Sequence, residues 1–117
     1  MKSVIVQLTS QAALNVWQHS LAESVRRDGP DLSARQMAIL LTVYLSSTPH
    51  TVRGLSEQLG ISKPAVVRAL DTLCRHDYVR RRRDEDDRRN IFVQRTVKGS
   101  VYLSEFADIV VRAAAEV

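Results

Sequence analysis

Apolar residues recur at three- and four-residue steps along much of the chain, which is the spacing of one face of a helix. Between residues 10 and 27 such a stripe is formed by Leu14, Trp17, Leu21 and Val25. The pattern predicts a first helix, ended by "DGP", in which a glycine can take a positive φ and a proline cannot continue a helix. The preceding "SVIVQL" fits either a short strand or a ragged helix start.

A second helix is predicted within "LSARQMAILLTVYLS". Ser33 and Gln36 have the spacing of a capping box, in which each side chain can satisfy a free backbone amide of the first turn. The helix should end at "STPH", because Pro49 disfavours helical geometry in the residue before it. The expected buried face of this helix consists of Met37, Leu40, Leu41 and Tyr44.

Two shorter helices, joined by the tight turn "LGIS", are predicted next. Thr51 can cap the first of them, and Gly60 suits the left-handed conformation that ends a helix. Ser62 can cap the second, over about residues 62–75, where Pro64 is tolerated because amides of the first turn have no intrahelical partner. Two short helices joined in this way form a helix-turn-helix.

The second of these short helices has two distinct faces. Its apolar face is formed by Val66, Ala69, Leu70 and Leu73. The opposite face consists of Lys63, Val67, Arg68, Asp71 and Arg75. Backbone amides give a helix N-terminus a partial positive charge, so an exposed start with Ser62, Lys63 and Arg68 suits a phosphate and a DNA groove.

Two extended runs, "DYVRRRR" and "NIFVQR", then have the residue types of β-strands. The loop between them lies within "RRRRDEDDRRN" and carries charges of both signs. Asp84, Asp86 or Asp87 can pair with an arginine across the turn and stiffen it. One of Arg88 and Arg89 then remains to reach outward, and arginine suits a narrow minor groove because its guanidinium is weakly hydrated. The predicted fold is mainly α with a small β-hairpin wing.

The distribution of charge supports a polyanion as partner. Residues 51–95 contain 11 basic and 7 acidic residues, a formal charge of +4, whereas residues 1–50 carry +1 and residues 96–117 carry −1. A basic segment between nearly neutral ends favours binding through one face.

Length and composition exclude several classes of protein. The 117 residues suffice for one domain. No apolar run approaches the roughly 20 residues that span a bilayer, no signal peptide is evident, and no nucleophile motif or phosphate loop indicates an enzyme. A single cysteine excludes an internal disulfide framework and suits the cytoplasm.

The remaining residues with distinctive chemistry have ordinary interpretations. Cys74 is expected to be a small packed residue, with a redox-sensing thiol as the alternative. Trp17 is expected in the core or in a dimer interface. His19, His50 and His76 lack the spacing of paired metal ligands, so neither a metal nor another cofactor is expected.

The segment "ISKPAVVRALDTLCRHDYVRRRRDEDDRRNIFVQRTVKG" resembles the core of the MarR (multiple antibiotic resistance regulator) family of winged helix-turn-helix repressors. Asp84, Asp87, Arg88 and Arg89 match that family's wing pattern of an acid, two spacers, an acid and two arginines. "TVKG" matches the threonine–x–lysine–glycine that opens its next helix. The resemblance covers about residues 32–103.

The resemblance implies a homodimeric, sequence-specific DNA-binding regulator of transcription. The recognition helix, about residues 62–75, would enter the major groove, and the wing, about residues 84–90, would touch the minor groove. Asp84 and Asp87 would brace the wing. The implied DNA contacts are Thr51, Ser62, Lys63, Pro64, Val67, Arg68, Arg88 and Arg89. The resemblance also admits a small-molecule effector, of whose chemistry the sequence gives no indication.

Several positions depart from the family pattern. Arg82 and Arg83 replace an acid and a proline and make this strand more basic. Arg95 replaces an inward-facing leucine, which predicts a strand end that is frayed or turned outward. A further C-terminal helix that usually completes the family's dimer interface is absent, so dimerisation of this single domain would rest on the helices at about residues 10–27 and 97–115.

Two other functions use the same fold. One is a low-specificity architectural or replication-linked DNA-binding protein, which would show little preference among sequences. The other is a winged helix that serves as a protein-interaction module, against which the basic recognition face argues.

Overall fold

A computed structural model describes residues 7–47 and 49–116. In these ranges the elements are α1 (Ser10–Arg26), α2 (Ala34–Leu45), β1 (His50–Thr51), α3 (Val52–Leu59), α4 (Lys63–Arg75), β2 (Val79–Arg83), β3 (Ile91–Arg95) and α5 (Val97–Ala115). They form two compact units. The larger unit is Leu32–Leu103, and the smaller contains the described residues up to Asp31 and those from Ser104 onward.

Local capping residues determine where the helices of the larger unit begin. The Ser33 hydroxyl accepts from the Gln36 amide, and the Gln36 side chain accepts from the Ser33 amide, so the predicted capping box is confirmed. The Ser62 hydroxyl caps α4 by accepting from the Ala65 amide at 3.2 Å. Gly60 ends α3 with a φ of 66°, the left-handed conformation that its sequence position predicted.

The three strands form one antiparallel sheet in the order β1-β3-β2. The predicted hairpin of β2 and β3 is confirmed, with Arg81 opposite Val93. Strand β1 was not expected. It is two residues long, and its His50 lies opposite Val93 on the other side of β3. The arginine-rich strand β2 is therefore an edge strand.

Apolar side chains from α2, from the helix-turn-helix of α3 and α4, and from the sheet form the core of the larger unit. The fully buried members are Ile39, Leu40, Val43, Leu55, Val66, Leu70, Leu73 and Val79. The predicted inward face of α4 is confirmed, and Val52 and Leu55 are the buried residues of α3. In α2 the core face is centred on Ile39, Leu40 and Val43, and Met37 and Tyr44 pack at its margin.

Of the two alternatives expected at Arg95, a frayed strand end is wrong, whereas the residue is exposed, as the outward alternative predicts. It remains paired with Val79 in the hairpin. Its guanidinium donates to the carbonyl oxygens of Val43 and Ser46 at 3.0 and 2.9 Å, and lies 5.8 Å from the centre of the Tyr44 ring. Because the last carbonyls of a helix have no intrahelical partner, Arg95 caps the C-terminus of α2.

The smaller unit consists of α1 and the later part of α5. Phe106, Ile109 and Ala113 are buried, and so is Ser20, whose hydroxyl donates to the Val16 carbonyl oxygen at 2.7 Å. Within the part of the chain that the structure describes, the apolar stripe of α1 is not buried: the side chains of Leu14, Trp17, Leu21 and Val25 remain exposed. Trp17 therefore does not belong to the core formed by the described residues.

The start of α1 is preceded by Gln7, Leu8 and Thr9, which form no regular structure, and Thr9 caps the helix. Residues 3–6, which begin the ambiguous "SVIVQL" segment, lie outside the described residues. Among the helices of the described ranges, none combines the length and the apolar content that crossing a membrane requires.

Candidate nucleic-acid interface

The first turn of α4 forms an exposed, positively charged end. Ser62, Lys63 and Pro64 are all exposed. Ser62 caps one amide, and the remaining first-turn amides add the partial positive charge of a helix N-terminus to the charge of Lys63. Within the described residues no carboxylate forms an ion pair with Lys63. This end of the helix can bind an anion.

Arg68 and Val67 follow on the next turn and differ in exposure. Arg68 is exposed and, within the described ranges, has no carboxylate at ion-pair distance. Val67 is half-buried and packs against the core, so only part of its side chain is available to a ligand. Arg68 also lines a surface cavity whose other wall includes Ser33 and Arg35 at the start of α2. Arg35 was not identified from the sequence.

The wing loop is shaped by hydrogen bonds between close neighbours. Asp84 and Asn90 close it, with the Asp84 amide donating to the Asn90 carbonyl oxygen at 3.0 Å. The Asp84 carboxylate accepts from the Asp86 amide at 2.9 Å and from the Asn90 side chain at 3.5 Å. The partners of the Asp84 carboxylate among the described residues are therefore a backbone amide and a side-chain amide, and no arginine.

Asp87 holds Arg89 in a two-pronged ion pair. The Arg89 guanidinium donates to both carboxylate oxygens, at 3.0 and 3.1 Å, and the Arg89 amide also donates to this carboxylate at 3.1 Å. The Arg89 side chain nevertheless remains 91% exposed. These bonds from Arg89 lower the pKa of Asp87, and the Asp87 carboxylate raises the pKa of Arg89.

Arg88 is the wing arginine whose charge is not paired within the described residues. Its carbonyl oxygen accepts from the Arg83 guanidinium at 2.7 Å, which links the loop to the end of β2. Its own side chain is exposed. The loop therefore presents one constrained arginine, Arg89, and one unconstrained arginine, Arg88.

The start of α3 adds a basic residue that sequence reasoning missed. Arg53 is exposed, lies 3.6 Å from Glu57, and is near enough to the wing for its charge to lower the pKa of Asp87 further. The feature of the sequence that could have indicated Arg53 is its position two residues after the capping Thr51. Thr51 itself is half-buried, and its hydroxyl accepts from the Gly54 amide at 2.9 Å.

Cys74 lies late in α4, half-buried against the core. Burial raises the pKa of its thiol, and the nearby Arg81 guanidinium opposes that shift only in part. The neutral thiol is thus favoured at neutral pH, and thiolate-dependent reactivity is low.

Comparison with solved structures identifies proteins of the same fold. The transcriptional regulator Tm0710 from Thermotoga maritima is 25% identical, with a TM-score of 0.65 over 91% of this chain and 69% of that one. The transcriptional regulator BldR from Sulfolobus solfataricus is 27% identical, with a TM-score of 0.63 over 91% and 76%. A MarR mutant from E. coli, complexed with operator DNA, is 19% identical, with a TM-score of 0.67 over 91% and 70%.

Comparison with curated protein sequences returned no match. A sequence profile described as the MarR family matches residues 31–90, just over half of the chain. The matched residues contain α2, α3, α4, β2 and the wing loop up to Asn90. The chain therefore belongs to the MarR family, whose members are transcriptional regulators and not enzymes.

Proposed function

We propose that this protein is a homodimeric repressor that binds a pseudo-palindromic operator in the cytoplasm. The observation that carries the proposal is the exposed start of α4, where Lys63 and Arg68 have no ion-pair partner among the described residues. Such charges are energetically available to a polyanion, because no internal pair has to be broken first.

In this proposal α4 is the recognition helix and lies in the major groove. Ser62 and Lys63, with the first-turn amides, contact phosphates and set the position of the helix. Arg68 reads a base edge, since bidentate arginine to guanine is the commonest specific contact. Pro64 and the exposed part of Val67 offer apolar contacts, which suit a thymine methyl group.

The wing contributes through Arg88 and Arg89. A guanidinium is weakly hydrated and fits a narrow minor groove at a low desolvation cost. Asp87 orients Arg89, and Asp84 shapes the loop around it. Thr51 adds a phosphate contact at the start of α3.

Dimerisation is proposed to use the exposed apolar stripe of α1. Its side chains recur on one helix face and are exposed among the residues that the structure describes. A contiguous exposed apolar face marks an interaction site, and a second copy offers the same face for an isologous contact. Two copies would then present two recognition helices to the two half-sites of a pseudo-palindrome.

A selection experiment tests the regulatory function. Duplexes with a randomised centre are selected for binding, and the enriched sequence then competes with a scrambled duplex at about 150 mM salt. A regulator should enrich a two-fold-symmetric sequence and prefer it by about 10³-fold or more. Retention of all duplexes with similar affinity would instead identify a low-specificity DNA-binding protein. Failure to bind any duplex at low salt would identify a protein-interaction module.

Arg68→Ala tests the base-reading role within that experiment. We expect a loss of about 1–3 kcal/mol in discrimination at one base pair of each half-site, with other positions unchanged. Arg26→Ala removes an exposed arginine of α1, outside the recognition helix, and serves as the control. Equal losses on the selected and the scrambled duplex would show that Arg68 contacts phosphate.

A further inference from the structure

The wing has an outward face with two arginines. Successive side chains of a strand point to opposite faces of a sheet. Val79 is buried, so Arg80 and Arg82 lie on the outward side, where Gln94 and Phe92 are their partners in β3. We call these four residues the outer wing face.

The two arginines on the opposite side of β2 have clear structural roles. Arg81 forms an ion pair with Asp71 of α4 at 2.8 Å. Arg83 donates to the Arg88 carbonyl oxygen and supports the wing loop. Their positive charges therefore have roles within the chain.

The arginines of the outer wing face have weaker internal contacts. Arg80 approaches Asp77 only at 3.5 Å, with both side chains well exposed, a geometry that contributes little free energy. The Arg82 guanidinium lies 5.5 Å from the centre of the Phe92 ring. This cation–π contact orients the guanidinium and leaves its charge available to a ligand.

Two like charges on one face of a strand repel each other, and they lie about 7 Å apart. Charge on an edge strand prevents pairing with the edge of another sheet. Charges of either sign do this, so it does not explain why both residues are positive. The facing positions in β3 are Phe92 and Gln94, which offer no carboxylate. The repulsion is thus relieved only weakly inside the chain, and an external anion would relieve it.

We propose that the outer wing face binds the phosphate backbone of the same duplex, beyond the groove that the wing loop reaches. The proposal rests on the proposed function, which places DNA at that loop. Arg82 lies only two residues before Asp84, where the loop begins, so a duplex at the loop is within reach of an arginine side chain. Arginine also matches phosphate geometry through paired hydrogen bonds.

This contact adds affinity without adding sequence discrimination. Phosphates are identical at every step of the duplex, so they fix position and carry no base information. Each neutralised phosphate contributes about 0.9 to the slope of log affinity against log salt concentration. Two such contacts for each wing should therefore make a measurable contribution to that slope.

The test compares the wild-type chain with an Arg80→Gln, Arg82→Gln double variant. Affinity is measured between about 50 and 200 mM salt on the selected duplex and on its scrambled counterpart. We expect the slope to fall by about 2 for each bound wing. The affinity loss should be equal on the two duplexes, so the preference for the selected sequence should not change.

Single variants supply matched controls. Arg82→Gln should lower the slope by about 1 for each bound wing, whereas Arg26→Gln, which removes an exposed arginine of α1, should leave it unchanged. Arg82→Lys keeps the charge without the guanidinium and should retain the wild-type slope. A shorter duplex, trimmed to the selected sequence, lacks about 10 flanking base pairs and with them the phosphates of the proposed contact. On this duplex the double variant and the wild type should bind with the same slope.

An unchanged slope in the double variant, with the selected sequence still preferred, would overturn this proposal and leave the regulatory function intact. The same unchanged slope is expected if the outer wing face binds an acidic protein segment and not DNA. A larger loss on the selected duplex would overturn it as well, since it would indicate base reading. A reduced slope without sequence preference would support the outer wing face and contradict the regulatory function.

Discussion

At the scale of single residues, the wing depends on short-range pairs and not on packing. Asp87 binds the guanidinium and the amide of a residue two positions later, and Asp84 binds neighbouring amides. Exposed ion pairs contribute little to the stability of a fold, because solvent screens them. Their value here is geometric, because Arg89 loses conformational freedom before any ligand arrives and so loses less on binding.

The acid titration of Asp87 tests this arrangement. The bonds from Arg89 hold the pKa of Asp87 below its ordinary value of 3.8. A carboxyl group whose pKa is lower in the folded state stabilises that state fully above its ordinary pKa, and the contribution is lost as pH falls through the lowered value. We therefore expect the pair to be intact at pH 5 and above, and the Asp87 carboxyl carbon to titrate by NMR with a midpoint below 3.8.

Arg89→Gln is the matched variant for that titration. Removing the guanidinium should move the Asp87 midpoint back toward its ordinary value. The thermal unfolding midpoint should change little, since Arg89 is 91% exposed. A midpoint of Asp87 that is the same with and without Arg89 would refute the pairing.

At the scale of elements, one hydrogen-bonded junction joins α2, the end of the hairpin and the start of α5. The Tyr44 hydroxyl lies 2.8 Å from the Thr96 carbonyl oxygen and 3.0 Å from that of Tyr78, and it accepts from the Thr96 amide. The Thr96 hydroxyl donates to the Asp77 carbonyl oxygen and caps α5 by accepting from the Gly99 amide. The position of α5 against the hairpin therefore depends on close approach at this junction.

Gly99→Ala should destabilise the protein because of that close approach. In most helices the change favours folding by up to about 1 kcal/mol. Here a β-carbon at Gly99 would collide with the Tyr44 hydroxyl and with the Tyr78 carbonyl oxygen, a backbone atom that cannot turn away. We expect a loss of about 1–3 kcal/mol in the free energy of unfolding, measured as a lower denaturation midpoint in urea.

Ser100→Ala provides the control for that measurement, since it places alanine at the next, exposed position of the same helix. It should leave stability unchanged or raise it slightly. If Gly99→Ala raised stability by the same amount, the junction would have room for a methyl group and would not set the position of α5.

The elements that sequence reasoning predicted best are those whose signals are local. The capping residues of α2, α3 and α4, and Gly60 between the last two, each act on amides or carbonyls within a few residues. Strand β1 was missed because its pairing partner, Val93, lies more than forty residues away from His50. The capping role of Arg95 was missed for the same reason, because the carbonyls that it caps lie at the end of α2, about fifty residues earlier in the chain.

At the scale of the whole molecule, the α1 stripe shows that hydrophobic periodicity does not predict what covers an apolar helix face. The spacing of Leu14, Trp17 and Leu21 predicts that one face of the helix is apolar, and it does so whether the face is covered by the chain or by another copy. Similarly, the wing arginines were identified from their motif, but Arg53 was not, since its nearness to the wing depends on tertiary structure. Sequence thus predicts which residues are chemically suited to a site, and the fold decides which of them meet.

The oligomeric state in solution tests the proposed dimerisation through the α1 stripe. Trp17 is 52% and Leu21 44% exposed in the single chain, so glutamate at both positions costs little within the chain and is strongly unfavourable in an apolar contact between copies. We expect the wild type to have the mass of a dimer by light scattering and the Trp17→Glu, Leu21→Glu variant that of a monomer, with unchanged helix content by circular dichroism.

Leu45→Glu is the control for the double variant, since it alters an 81% exposed leucine of the larger unit. This variant should remain dimeric, because an isolated exposed leucine is not part of an apolar stripe. Loss of the dimer should also reduce affinity for a two-fold-symmetric operator more than for scrambled DNA, since each copy then binds one half-site independently. A wild type that is monomeric at concentrations where it saturates the operator would contradict the proposed α1 interface, as would a double variant that keeps the dimer mass.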